Sequence, residues 1–228
     1  MSAIKFRDNV VKTGKEAYID FKEACTYSSY GYDLIKKDLV ESLCDRHDAG
    51  LKKGRNGCRN QYYTFDFYDV TLLSLGEVKF EGDETIYLRT VLVDPDMVDE
   101  LKQFHWFLHN NAKKGEISRF KTRCSCKDKE TNKNKAYEIG YMIKKAISRR
   151  DGGEDIGKVA IHHDKMTQDN RERYLMAFSS EEHRKYHKDK GGKSHKTFVF
   201  IDTKEELEAY LIYLNGMDYE VTDFNSKK

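Results

Sequence analysis

Proline, tryptophan and long apolar runs are scarce in this sequence. It contains one proline, Pro95, and one tryptophan, Trp106, and charged side chains interrupt the segment from Met1 to Lys12. No stretch is apolar for long enough to predict a membrane span or a signal peptide. We therefore expect a cytoplasmic protein with no membrane partner.

The cysteine content argues against a disulfide-rich secreted domain. The chain has five cysteines, an odd number, and no export signal, so disulfides are not expected. Metal binding is the other use of such residues: Cys44, His47 and Cys58 could hold structural zinc with a fourth ligand from Cys124 or Cys126. Because this spacing matches no standard zinc finger, ordinary thiols are favoured and zinc stays the alternative.

Aromatic residues are abundant, which excludes an intrinsically disordered chain. They make up 12% of the 228 residues, with 15 Tyr and 12 Phe. A mean hydropathy of −0.82 and a charged fraction of 35% place much of the chain at the surface. The length allows one moderate core or two small ones.

The net charge of +2 conceals an uneven distribution. Residues 61–112 carry 3 basic and 10 acidic side chains, whereas residues 113–150 carry 13 basic and 4 acidic. Residues 158–196 add a further net charge of +4. Two basic segments in succession favour a polyanionic partner, above all DNA. A lysine-rich solvated surface is the other interpretation.

Residues 1–60 show the apolar spacing of helices. Asp33 precedes one such run and is a candidate N-cap, and a basic turn at residues 52–57 ends the segment. We therefore predict a helical N-terminal region over residues 1–60. Its apolar positions are Ala17, Phe21, Ala24, Leu34, Ile35, Leu39 and Leu43.

Residues 61–112 change to the period of β-strands. Aromatic and polar side chains alternate, and β-rich runs are broken by glycines, which predicts a small antiparallel sheet. Asp94 and Pro95 then open a short helix. It leads to Trp106, for which packing in a core is favoured over stacking on a base.

Residues 113–192 contain the basic segment and a histidine-rich unit at residues 158–190. A helix with one apolar stripe is predicted over Tyr137–Ser148. Its basic side chains lie on or beyond the solvent side, where we expect them to bind DNA phosphates. These side chains are Lys144, Lys145, Arg149 and Arg150.

Residues 193–228 are predicted to form a strand–helix extension. Residues 197–201 favour a strand, and Thr203 with Glu206 has the spacing of a capping box. The helix that follows should turn its apolar residues inward. These are Leu207, Tyr210, Leu211 and Leu214.

Four of the eight histidines fall between residues 158 and 190. His162 and His163 follow a short apolar run, residues 159–161, that predicts a buried strand, and residues 174–178 predict a second strand after a polar loop. Adjacent residues of a strand point to opposite sides. The end of the first strand is therefore expected to offer one histidine on each side.

A helix is predicted directly after the second strand. Ser179 and Glu182 have the spacing of a capping box, so the helix should begin there and carry His183 and His187 on one face. In a compact strand–loop–strand–helix unit, His162 and His183 could approach one ion. A one-metal nuclease needs such an arrangement.

Histidine suits both tasks of phosphodiester hydrolysis. A cation must offset charge on the phosphate and the leaving oxygen, and a base must take a proton from water. Neutral imidazole binds divalent ions, and its unperturbed pKa of about 6.5 suits a general base. A single histidine is usually an ordinary polar residue, so the combination carries the interpretation.

The segments IHHDK, DNR at residues 169–171, and YLMAFSSEEHRKYH resemble the HNH endonucleases of the ββα-metal fold, particularly homing enzymes of phages and introns. The upstream segment VLVDPDMVDELKQFHWFLHNN is similar to one that precedes the nuclease unit in many of these enzymes. By this resemblance, His163 is the general base, and His162 and His183 bind the metal. Magnesium or manganese is expected there.

One position departs from the family pattern. The asparagine that orients the base in the family corresponds to Tyr174. Asn170, four residues earlier, would take over this role, or the site would be weakened. The resemblance also implies that Arg171 and His187 contact the scissile phosphate.

These observations predict an α+β protein, in which a small N-terminal helical and antiparallel-sheet region precedes a ββα-metal unit and a C-terminal strand–helix extension. The resemblance implies a metal-dependent DNA endonuclease of phage or mobile-element origin, acting in the host cytoplasm if a phage encodes it. One alternative is a DNA-binding or regulatory protein that kept the fold and lost turnover. A zinc-stabilised interaction module is another.

Overall fold

In a computed structural model of the chain, the residues described are 32–79, 84–110, 120–127, 132–153, 160–163, 169–182, 184–185 and 200–215. They form an α+β fold, as predicted, in which most strand pairs are antiparallel. Within these ranges, no helix is both long and apolar enough to cross a membrane.

Eleven strands and five helical segments occur in the described ranges. The strands are β1 (Asp33–Lys36), β2 (Arg46–Lys53), β3 (Arg59–Phe65), β4 (Val70–Lys79), β5 (Ile86–Val93), β6 (Trp106–Asn110), β7 (Phe120–Lys127), β8 (Asn134–Glu138), β9 (Ala160–His163), β10 (Leu175–Phe178) and β11 (Phe200–Ile201). The helices are α1 (Lys37–Leu43), α2 (Val98–Leu101), α3 (Ile139–Arg150), α4 (180–182 and 184–185) and α5 (Lys204–Asn215).

Six strands form the main sheet, in the order β11-β1-β5-β4-β3-β2. β11 and β1 are parallel, and the other neighbours are antiparallel. Gly76 has a φ of 134° where the register of β4 against β5 shifts, so this bulge needs a residue without a side chain.

Both faces of the main sheet are covered, so its central strands are apolar at consecutive positions. Tyr63 and Leu72 point into one core, and their neighbours Tyr62 and Leu73 point into the other. The first, called the α5 core, consists of Ile35, Val40, Tyr63, Phe65, Val70, Leu72, Leu88, Leu92, Ile201, Leu207, Ala209, Tyr210, Leu211 and Leu214. The second, called the α3 core, consists of Tyr62, Leu73, Val91, Val93, Met97, Val98, Leu101, Trp106, Cys124, Ile139, Ile143, Ile147 and Leu175.

A second sheet, β6-β7-β8, contributes to the α3 core. Trp106 and Cys124 are partners in the β6–β7 register, and both are fully buried. The indole N–H of Trp106 donates to the carbonyl of Leu101 at 2.9 Å. The prediction that Trp106 packs in a core is confirmed.

Asn60 of β3 joins the two sheets. Its side-chain amide donates to the carbonyls of Ser74 and Trp106, each at 3.0 Å, and its Oδ1 accepts from the backbone N–H of Trp106 at 2.7 Å. The residue is only 3% exposed. One side chain thus satisfies three buried backbone groups where β6 leaves the main sheet.

The predicted helical region is wrong for the part of residues 1–60 that the structure describes. Strands β1, β2 and β3 occupy most of it, and α1 is a single short helix between them. Asp33 caps no helix: it is buried in β1 and accepts a hydrogen bond from Tyr210 Oη at 2.6 Å. A strand covered on both faces is apolar at successive positions, which a short window cannot distinguish from helical spacing. Ala17, Phe21 and Ala24 lie outside the described residues.

The predictions for the central part of the chain are confirmed in type. β3, β4 and β5 form the expected antiparallel sheet, and Pro95 opens the short helical segment before β6. The helix predicted over Tyr137–Ser148 is α3, displaced by two residues, with Ile143 and Ile147 buried.

The C-terminal strand and helix are also confirmed, but they belong to the main sheet. β11 pairs with β1, and α5 buries its predicted apolar residues in the α5 core. In the predicted capping box, the Glu206 N–H donates to Thr203 Oγ1 at 3.2 Å and the Thr203 N–H donates to Glu206 Oε2 at 3.1 Å. Residues 200–215 therefore complete the sheet that begins at Asp33, and are not a separate extension.

Asn60→Asp should lower the free energy of unfolding by about 3 kcal/mol, because it replaces two buried N–H donors with an oxygen that faces carbonyl groups. Urea titration followed through the fluorescence of the single tryptophan measures this change.

The matched control for this substitution is Asn56→Asp. Asn56 is exposed and its Oδ1 accepts from the Cys58 N–H, a bond that aspartate can keep. A similar unfolding midpoint for both variants would contradict the role assigned to Asn60.

Candidate functional site

β9 and β10 form an antiparallel pair at the position predicted for the histidine unit. In the backbone register, His163 is opposite Leu175 and His162 is opposite Met176. Leu175 is 5% exposed and belongs to the α3 core. The end of β9 that carries the two histidines is therefore held against a strand with one residue fixed in the core.

The predicted capping box follows β10 directly. The Ser179 N–H donates to Glu182 Oε2 at 2.8 Å, and the Glu182 N–H donates to Ser179 Oγ at 3.3 Å. Helix α4 begins at residue 180, as these bonds require. His183 and His187 lie outside the described residues.

The loop that returns from β9 to β10 is anchored to the main sheet. Asp169 forms a parallel bridge with Leu92 of β5, and the Asn170 N–H donates to the Leu92 carbonyl at 2.9 Å. Asn170 is 1% exposed. Its proposed part in orienting the base stays a prediction, but its backbone position is firmly fixed.

Arg171 is a buried structural residue. Its guanidinium and the Asp169 carboxylate make a two-pronged ion pair, with Nε–Oδ1 at 3.0 Å and Nη2–Oδ2 at 2.8 Å, and the two side chains are 0% and 1% exposed. Nη2 also donates to the carbonyl of Leu214 at 2.7 Å. DNA cannot reach this side chain, so its position does not support the predicted phosphate contact.

Tyr174 lies in a single 3-10 turn just before β10. Its ring is 5.0 Å from the guanidinium carbon of Arg171 and 5.0 Å from that of Arg173, and its hydroxyl donates to the Leu214 carbonyl at 3.2 Å. These contacts explain a tyrosine at the position where the family has asparagine. Its side chain ties the hairpin to the end of α5.

The basic residues predicted on α3 divide into two groups. Arg150 pairs with Asp96 at 2.6 Å, and Lys144 lies 3.9 Å from Glu172. Arg149 is exposed, and Lys145 is half-buried with its Nζ 5.9 Å from the Tyr141 ring centre. Ion pairing offsets the charge of the first group, so Lys145 and Arg149 are the better candidates for phosphate binding.

Lys144 lines a cleft of about 980 Å³ in which acidic side chains outnumber basic ones. Burial raises the pKa of the Asp94 carboxyl above its ordinary value, although this carboxylate accepts a hydrogen bond from the Glu172 N–H at 2.6 Å. The negative balance makes this side of α3 unsuited to DNA. The cleft is lined by Arg46, Asp69, Asp94, Pro95, Asp96, Asp99, Lys144, Glu172 and Arg173.

The residues considered for structural zinc are not brought together. In the described part of the chain, which includes all five candidates, no three His, Cys, Asp or Glu side chains form a group that could hold a metal. His47 instead bonds to Gln61 and stacks on Tyr63, and burial raises the pKa of Cys124 to about 12. Because His183 lies outside the described residues, this finding does not bear on the predicted site of His162 and His183.

Asp169 was missed in the sequence, although it determines how Arg171 is used. The signal available was an Asp and an Arg two residues apart in the DNR segment. A local pattern of this kind is compatible with an exposed phosphate-binding arginine as well. Only the burial of both side chains and the approach of α5 decide between the two.

Arg171→Met should lower the free energy of unfolding by about 3–5 kcal/mol, because it leaves the Asp169 carboxylate buried without its partner. Removing both charges, in Asp169→Asn with Arg171→Met, should restore part of this loss. Urea titration measures both variants.

Arg173→Met is the matched control. Arg173 contacts the same ring and the same Leu214 carbonyl, at 3.2 Å, but it is only partly buried and lacks the buried carboxylate. A loss of stability as large as that of Arg171→Met would refute the importance of the buried pair.

The comparison of the whole chain with known proteins adds no relative to this picture. Protein-family models, curated proteins and solved structures were compared with it, and none matches. The likeness to HNH endonucleases therefore rests on the residues quoted above and on the arrangement of β9, β10 and α4.

Proposed function

We propose that this protein is a metal-dependent DNA endonuclease of the HNH homing type. The observation that carries the proposal is the β9–β10 pair with His162 and His163 at its end, followed at once by a helix with a complete capping box. This is the order of elements that the histidine pattern predicts. Phage or mobile-element origin remains part of the proposal.

In the proposed reaction, His163 takes the proton from the attacking water. His162 and His183 hold one divalent ion, and two imidazoles with water in the remaining positions suit Mg²⁺ or Mn²⁺. When bound, the ion stabilises negative charge on the phosphate and the leaving oxygen. His187 remains a candidate for contact with the scissile phosphate.

The anchoring of the hairpin supports this assignment. Catalytic groups must be held within a fraction of an ångström of their working geometry by a rigid surround. Here the loop between β9 and β10 is bonded to Leu92 of the main sheet and, through Arg171 and Tyr174, to Leu214 at the end of α5. These contacts limit the movement of both strands.

Tyr174 favours the second candidate function, a DNA-binding or regulatory protein with a weakened site. Its side chain is committed to Arg171, Arg173 and the end of α5, so it cannot also orient an imidazole. The enzyme proposal therefore requires Asn170, or another group, to supply the orientation.

His163→Ala should abolish cleavage but leave folding and DNA affinity almost unchanged, because a general base acts only in the chemical step. The assay follows nicking of supercoiled plasmid with Mg²⁺ or Mn²⁺, with EDTA as the metal-free condition. His47→Ala is the control, since His47 lies on the edge strand β2 and pairs with Gln61.

Equal nicking by the His163→Ala variant would remove His163 from its role. Absence of nicking by the unaltered protein with either metal, on both plasmid and phage DNA, would reject the enzyme in favour of the binding protein.

Asn170→Ala should reduce the cleavage rate by roughly 100-fold if Asn170 orients the base, because a misaligned imidazole is seldom directed at the water. Its backbone bond to Leu92 does not depend on the side chain, so stability should suffer less than activity. Rates are compared at one metal and salt concentration.

Tyr174→Asn provides the opposing test. It removes the hydroxyl bond to Leu214 and two cation–π contacts, so unfolding should become easier by about 1–3 kcal/mol without a gain in rate. A rate higher than that of the unaltered protein would show instead that the tyrosine weakens the site.

A further inference from the structure

The second sheet has one face turned away from the protein. Trp106 and Cys124 point into the α3 core, so the residues next to them in β6 and β7 point outwards. We call this the outer sheet face. It presents Phe107, His109, Lys121, Arg123, Ser125 and Lys127.

Basic side chains dominate the outer sheet face. Lys121 Nζ lies 2.9 Å and Arg123 Nη2 lies 3.0 Å from Glu138 Oε1, so one carboxylate serves two cations and leaves an excess of positive charge. Lys127 is exposed on the same face. A surface of this sign complements a polyanion.

The contrast with α3 is what gives this surface its meaning. Arg150 pairs with Asp96, and Lys144 lies at a cleft where acidic side chains outnumber basic ones. The outer sheet face has Glu138 as its single acidic residue among the described positions of β6, β7 and β8. The basic segment of the sequence therefore offers DNA a sheet more readily than a helix.

The dimensions of the sheet favour a duplex over a single strand. Three strands spaced about 4.8 Å apart are about 10 Å wide, and the eight residues of β7 extend about 26 Å. The major groove of B-DNA is about 12 Å wide and admits β-structures as well as helices. Phe107 and His109 lie among the basic residues and can contact base edges.

We propose that the outer sheet face binds duplex DNA in the major groove, with Lys121, Arg123 and Lys127 near the phosphates on either side. The inference rests on the proposed function and specifies which surface takes the substrate. The ion pairs of Lys121 and Arg123 with Glu138 fix these side chains in position before binding, which lowers the entropy lost on association.

Ser125 allows a test that leaves these ion pairs intact. It is exposed at the middle of the face, opposite Ala136, which is exposed as well. Ser125→Glu should weaken binding to a labelled duplex by roughly three- to tenfold, and Ser125→Lys should strengthen it by a similar factor. Binding is measured by fluorescence anisotropy in EDTA, so that cleavage does not interfere.

The matched controls are Ser42→Glu and Ser42→Lys. Ser42 is an exposed serine on α1, on the opposite side of the main sheet, where the added charge should leave affinity unchanged. Thermal unfolding confirms that all four variants remain folded. The salt dependence of binding should become steeper with Ser125→Lys and shallower with Ser125→Glu.

The proposal is overturned if both Ser125 variants bind the duplex like the unaltered protein, or if unlabelled single-stranded DNA competes better than duplex. The cleavage assay is read separately. Cleavage with no effect at Ser125 refutes the outer sheet face and keeps the enzyme. Charge-dependent duplex binding without cleavage refutes the enzyme and supports the surface.

Discussion

The buried ion pair between Asp169 and Arg171 is the interaction on which the arrangement of the candidate site depends. Removing two charges from water is costly, and the cost is offset only when the geometry is good and the remaining donors are satisfied. Both conditions are met: the pair has two short contacts, and the guanidinium also bonds to the Leu214 carbonyl. Asp169 in turn bridges to Leu92. The hairpin, the main sheet and α5 meet at this pair.

This junction explains how segments distant in sequence support one another. Leu214 belongs to α5, whose Tyr210 bonds to the buried Asp33 of β1, and β1 pairs with both β5 and β11. The hairpin is therefore attached to a sheet that is completed only when the C-terminal strand joins it. A catalytic group on such a hairpin gains rigidity from the whole fold, which is what the proposed chemistry requires.

Charge is distributed in the fold according to its neighbours, and the totals along the chain conceal this. Residues 113–150 have a net charge of +9. On α3, Arg150 pairs with Asp96 and Lys144 lies near Glu172, both acidic residues from other segments. In β7, Lys121 and Arg123 share Glu138. The same basic segment thus has a part with offset charge and a part with excess positive charge, and only the second suits a polyanion.

By itself, the sequence determined the features that depend on neighbouring residues. The capping boxes at Ser179 and Thr203, the apolar stripe of α3 and the short helix at Pro95 arise from local bonds and periodicity, which a short window contains. The tertiary structure alone decided that residues 33–36 form a strand and that Arg171 is buried. Those outcomes depend on which distant segments cover a residue, because burial on both faces or a partner from α5 reverses what the same local pattern would do in water.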